Sequence, residues 1–125
     1  MLRRLLWLSL AGACGTVSRY ALSELAGKVK TGHFPLGTFT VNVIGSFLFG
    51  LVYALAARKI HFSGEVKLIL LVGFMGAFTT FSTFAFDTAR LLKASHFALA
   101  FGNIFLQVLL GMVALVAGIL LGRML

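Results

Sequence analysis

The chain has 125 residues, 60% of them hydrophobic and only 11% charged, with a mean hydropathy of +1.04. That composition excludes a soluble domain and indicates an all-α integral membrane protein; at ~20 residues per spanning helix there is room for four crossings in a single transmembrane domain, residues 1–125. The formal charge of +8 does not point to nucleic acid, because Lys and Arg lie at helix ends and in loops, where they read as anchors toward membrane lipid.

The first stretch, Met1 to Ala13, imitates a signal peptide: Arg3 and Arg4, an apolar run, then Ala11-Gly12-Ala13 before Cys14. The apolar run continues through Leu22, so Leu5 to about Ala26 is read as a retained first crossing. Gly12, Gly15 and Arg19 share one helical face, with the glycines permitting close helix contact and Arg19 near the end of the span. An arginine at membrane depth is a functional candidate, and an interfacial anchor is the alternative reading. Glu24 is placed to pair with Lys28 at i,i+4. Cys14, the single cysteine, excludes an intrachain disulfide.

After a loop with Lys28, Lys30 and His33, Pro35 opens the second helix, about 36–57. One face of it carries Asn42, Gly45, Ser46, Phe49, Gly50 and Tyr53. Asn42 stands out, because a primary amide in hydrocarbon demands partners for both its donor and its acceptor; it bridges helices or lines a pathway. The second loop holds Arg58, Lys59 and His61, and Ser63-Gly64-Glu65 suits a helix start. His33, His61 and His96 are read as surface residues, too far apart in sequence for a metal cluster.

The third segment, about 66–92, contains Gly73-Phe74-Met75-Gly76-Ala77-Phe78-Thr79-Thr80-Phe81-Ser82-Thr83-Phe84. Two glycines followed by a hydroxyl cluster suit a helix broken near 73–80, since glycine weakens helix propagation and Ser and Thr satisfy the backbone groups a break sets free. A packing face of small residues with polar glue explains the same composition. Asp87 follows, placed to pair with Arg90 at i,i+3. The fourth segment, about 97–121, carries Asn103, Gln107 and Gly111 at successive i+4 steps, a polar track within the membrane.

With four crossings, six basic residues fall on the side of the termini and five on the other, eleven in all. Orientation normally follows a Lys and Arg excess, so a balanced chain is expected to insert both ways and to pair as a dual-topology antiparallel homodimer.

Three pieces, Gly15-Thr16-Val17-Ser18-Arg19-Tyr20, Gly37 to Phe47 (Gly-Thr-Phe-Thr-Val-Asn-Val-Ile-Gly-Ser-Phe) and Gly73 to Phe84, resemble the fluoride-channel family called Fluc or CrcB, and the resemblance covers nearly the whole chain. It implies a passive, fluoride-selective channel that exports fluoride through two antiparallel pores per dimer. It further implies a third helix broken at mid-membrane and a central structural sodium ion held by the backbone carbonyls of Gly76 and Thr79. By the same resemblance, the pore positions fall on Asn42, Phe81 and Phe84, and the motif arginine on Arg19. Ser82, Thr83, Asn103 and Gln107 are placed in the polar track. The setting is a prokaryotic cell membrane, the inner one in a Gram-negative cell. Ala77 stands where the family commonly has a second glycine, and Asp87 where it often has Glu.

Such groups suit a small, strongly hydrated anion, which sheds water only where donors replace it and leaves only where they do not hold it tightly. Phenyl rings present a weakly positive edge to the same ion. The rival from another class is a proton-coupled small four-helix exporter, which needs a titratable acid deep in the membrane. Glu24, Glu65 and Asp87 all lie toward helix ends, which favours passive conduction. An accessory subunit leaves the amides without a role, and no pairing of nucleophile and base suggests an enzyme.

Overall fold

The computed structural model describes residues 1–58 and 62–125, with the side chain of Arg58 and the loop charges at Lys59 and His61 outside the described part. Every regular element in it is helical. The long helices are α1 (Leu2–Gly27), α2 (Leu36–Arg58) and α6 (Phe97–Met124). Between α2 and α6 the third helix is composite: α3 (Gly64–Leu68), a π-helical segment Ile69–Met75, α4 (Gly76–Phe78) and α5 (Phe81–Lys93). Three of these helices, 36–57, 64–93 and 97–124, are long and apolar enough to cross a membrane.

Helix ends follow local chemistry. Ser63 caps α3, its side chain accepting from Val66 N–H at 3.3 Å, as its place before Gly64-Glu65 suggested. The turn after α5 closes with Ser95 at φ 60°, Ser95 N–H to Leu92 O at 3.0 Å and His96 N–H to Leu91 O at 2.9 Å. This is the paired arrangement that satisfies the last carbonyls of a helix and starts the next one immediately.

The core of the fold is the pair α2 and α6, which run in the same direction with their backbones in close contact. A Cβ at Gly50 would overlap Leu115 O, and one at Gly118 would overlap Phe47 O; at Gly122 it would meet Leu51 O at 2.9 Å. Helices without side chains at their crossing maximise van der Waals contact, the main attraction between helices in lipid. A second parallel pair joins α1 to the third helix, where Gly15 lies under Phe74 and Ala77, and Gly73 against Ala11.

The break in the third helix is local. Thr79 (φ −83°, ψ 156°) and Thr80 (φ −149°, ψ 112°) are extended, and helix resumes at Phe81, capped by the Thr80 hydroxyl, which accepts from Thr83 N–H at 3.2 Å. The sequence suggests the break; it gives no sign of the wider π turns over Ile69–Met75, whose residues are plain apolar ones apart from Gly73.

Two surface expectations change. Glu24 and Lys28 form no ion pair: both side chains are exposed, where pairing gains little. His33 and His96, read as surface residues too far apart in sequence for a metal cluster, stack with ring centroids 4.4 Å apart, because the α1–α2 loop meets the α5–α6 turn. Among the described residues no three His, Cys, Asp or Glu side chains form a metal-binding group.

Candidate functional site

The break leaves backbone groups without helical partners, and α2 supplies the replacement. Asn42 Oδ1 accepts from Thr80 N–H at 2.8 Å, while Asn42 Nδ2 donates to Thr80 O at 3.1 Å. The side-chain amide thus pairs with the Thr80 peptide as a neighbouring strand would. This contact requires α2 to approach closely, and Gly45 allows it: a Cβ there would overlap the Thr79 side chain and crowd Phe78.

From Asn42 the hydrogen bonding continues into α6 and back to α5. Asn42 Nδ2 also donates to Gln107 Oε1 (2.8 Å), Gln107 Nε2 to Asn103 Oδ1 (3.1 Å), and Asn103 Nδ2 to Thr88 Oγ1 (2.9 Å). Thr88 Oγ1 in turn donates to Phe84 O at 2.9 Å. Asn103 is fully buried, and Gln107 and Thr88 nearly so. Both hydrogens of the Asn42 amide are therefore engaged, whereas Gln107 keeps one N–H beyond its bond to Asn103.

Beside this chain lies a cavity of about 310 Å³, lined by Asn42, Ser46, Thr79, Thr80, Phe81, Phe84 and Gln107 together with Gly45, Phe49, Val108 and Leu115. The Phe81 and Phe84 rings stand 5.5 Å apart at 56°, and Phe81 is 78% exposed in the single chain. A second cavity, about 280 Å³, is lined by Arg19, Thr16, Tyr20, Ser23, Thr38, Val41, Thr80 and Thr83. Thr80 lines both, so the helix break stands between them. Arg19 is half-buried there. Thr83 Oγ1 receives a bond from Thr80 Oγ1 at 3.0 Å, and Ser82 Oγ lies 3.3 Å from the same oxygen.

The residues singled out in the sequence thus separate into groups. Asn42, Gln107, Phe81 and Phe84 meet at one cavity, Arg19 and Thr83 at the other, and Ser82 sits at the start of α5 on an exposed face. Asn103 lines neither cavity. Because the chain turns extended after Phe78, the carbonyls of Gly76, Ala77, Phe78 and Thr79 have no following helical turn to bond them. Carbonyl oxygens belong to the chemical class of groups that hard cations take.

Sequence reading missed Thr88 and Thr38. Thr38 Oγ1 donates to the buried Asp87 at 2.7 Å, and Asp87 also lies 3.6 Å from Arg90, the i,i+3 pair expected of it. The available signal was spacing: Thr88 stands four residues after Phe84, the step at which a hydroxyl returns to a helix carbonyl.

Comparison with known proteins identifies the family. The family model described as "CrcB-like protein, Camphor Resistance (CrcB)" matches residues 6–119. The chain belongs to the CrcB family. Within it, the chain is 48% identical over 118 residues to a protein of Nitrosococcus oceani named fluoride-specific ion channel FluC, covering 94% of each chain. It is 47% identical over 124 residues to one of the same name from Solidesulfovibrio magneticus, covering 99% of each. A third, from Leptospira interrogans, is 42% identical over 117 residues, covering 94% of this chain and 92% of the relative. These CrcB relatives are bacterial and are named as channels, not as enzymes.

Proposed function

We propose that this chain is a fluoride-selective passive channel of a prokaryotic cell membrane, the inner one in a Gram-negative cell, and that it lowers cytoplasmic fluoride. The observation that carries the reading is the helix break at Thr80, its backbone N–H and C=O both bonded by Asn42, between two cavities. The relatives' names give the ion. On the cavity side the uncommitted N–H of Gln107 supplies a hydrogen-bond donor, and Phe81 and Phe84 supply ring edges that contact an anion weakly. Arg19 at the second cavity draws anions toward it.

Four crossings follow if α1 is counted: its 26 residues span ~39 Å and lie parallel to the third helix, which itself runs against α2 and α6. The conducting unit is an antiparallel homodimer with two pores. The near-balance of basic residues supports it, and so does the exposure of Phe81, which leaves the cavity without one wall in a single chain. A structural sodium ion fits the carbonyls of Gly76 and Thr79, where it would stiffen the break and add positive charge. Passive conduction is favoured over proton coupling because the buried acid, Asp87, is bonded to Thr38 and close to Arg90, and Glu65 is paired with Arg3 at a helix start.

Purified protein in liposomes, followed with a fluoride electrode beside a matched chloride experiment, tests the reading. Rapid fluoride loss without chloride loss and without a pH gradient is expected. Flux that requires a proton gradient would move the chain to the coupled exporters, and crosslinking that found only parallel neighbours would remove the antiparallel dimer.

A further inference from the structure

We propose that Thr88 and Asn103 are positioning residues which, through Gln107 and Asn42, lock the rotation of the first turn of α5 and so set the Phe81 and Phe84 rings, without touching the conducted ion. The inference rests on the channel reading above. Its basis is the direction of the hydrogen bonds. The chain runs Thr80 N–H to Asn42, Asn42 to Gln107, Gln107 to Asn103, Asn103 to Thr88, and Thr88 to Phe84 O, with every link between 2.8 and 3.1 Å.

Both ends are backbone groups whose roles cannot reverse: Thr80 N–H only donates, and Phe84 C=O only accepts. The sense of the three amides between them is thereby fixed, since turning one over would set donor against donor. These two backbone groups bracket the single turn that carries Phe81 and Phe84. A closed loop through α2 and α6 therefore holds that turn at both ends. Asn103 is 0% exposed and Thr88 7% exposed, and neither lines the cavity, so neither is placed to meet an ion there. The Thr88 hydroxyl accepts from Asn103 across the α5–α6 contact and donates within α5 to Phe84 O. Valine at that position keeps the shape, removes both functions and leaves Asn103 N–H buried without an acceptor.

The test uses the full-length protein in liposomes, with 4-fluorophenylalanine introduced at position 81 as a fluorine resonance probe. Thr88→Val and Asn103→Leu are each expected to lower fluoride flux about tenfold, the effect of leaving one buried donor without its acceptor: Asn103 N–H in the first and Gln107 N–H in the second. The double variant should fall no further than either single one, because both cut the same chain. Thr88→Ser should keep wild-type flux, and the fluorine resonance should shift or broaden in Thr88→Val but not in Thr88→Ser. If valine prevents folding, Asn103→Ser, too short to reach Gln107 and Thr88 together, gives the same reading. Wild-type flux with an unchanged resonance in Thr88→Val would overturn the proposal, as would fully additive losses or a serine variant as impaired as valine. Absence of flux in the wild type would remove the channel reading instead, while the resonance would still decide whether the chain of bonds holds the ring.

Discussion

The α2–α6 pair and the broken third helix are held by opposite means. Along α2 and α6, glycines remove side chains until backbones touch, and no polar group is needed for the contact between Gly50 and Leu115 or between Gly118 and Phe47. At Thr79 and Thr80 the backbone has left the helix, and the side-chain amide of Asn42 on α2, itself bonded to Gln107 of α6, replaces the lost bonds. The lesson is a division of labour: an apolar pair of helices carries the polar groups that an irregular segment needs. Non-helical backbone at membrane depth persists only where such partners exist.

The largest expected effect breaks the apolar side of this comparison. Gly118→Leu drives a side chain into the Phe47 carbonyl, where overpacking against backbone costs ~1–3 kcal/mol or more, and it should yield no folded protein in a thermal unfolding assay in detergent. Next is the polar side. Asn42→Asp keeps an acceptor for Thr80 N–H but loses the donors to Thr80 O and Gln107 and adds a negative charge, so fluoride flux should fall below detection while folding survives. Undiminished flux would make Asn42 purely structural.

How much of this was legible beforehand differs between the two regions. The break was legible because its chemistry is local: Gly73, Gly76 and the hydroxyls at Thr79, Thr80, Ser82 and Thr83 all lie within one short stretch. Asn42 was recognisable as a residue in need of partners, but Thr80 and Gln107, 38 and 65 residues away, follow only from how the helices pack. The π turns left no trace, since an i→i+5 ladder asks nothing of its side chains that an α-helix does not. Thr88 and Thr38 were missed for a related reason: a lone threonine in a helix ordinarily bonds its own backbone. Asn103 was read as part of the polar track, and its complete burial away from both cavities could not be seen in an i+4 spacing.

Smaller effects sharpen the comparison. Phe81→Ile should slow flux several-fold more than Leu109→Ile on the outer face of α6, with little loss of stability, because the ring is largely exposed within one chain. Equal effects would assign the ring to packing. Smallest of all, Arg3→Gln removes an ion pair whose arginine is 79% exposed; such pairs contribute ~0–1 kcal/mol, and neither flux nor unfolding temperature should change measurably.

The most direct measurement is hydrogen exchange of the Thr80 amide, made alongside fluoride flux, in wild type and in Asn42→Ala. A peptide held by Asn42 should be protected in the wild type, and the alanine variant should lose protection and conduction together. Loss of protection with flux intact would show that the Asn42–Thr80 pairing does not hold the conducting structure open.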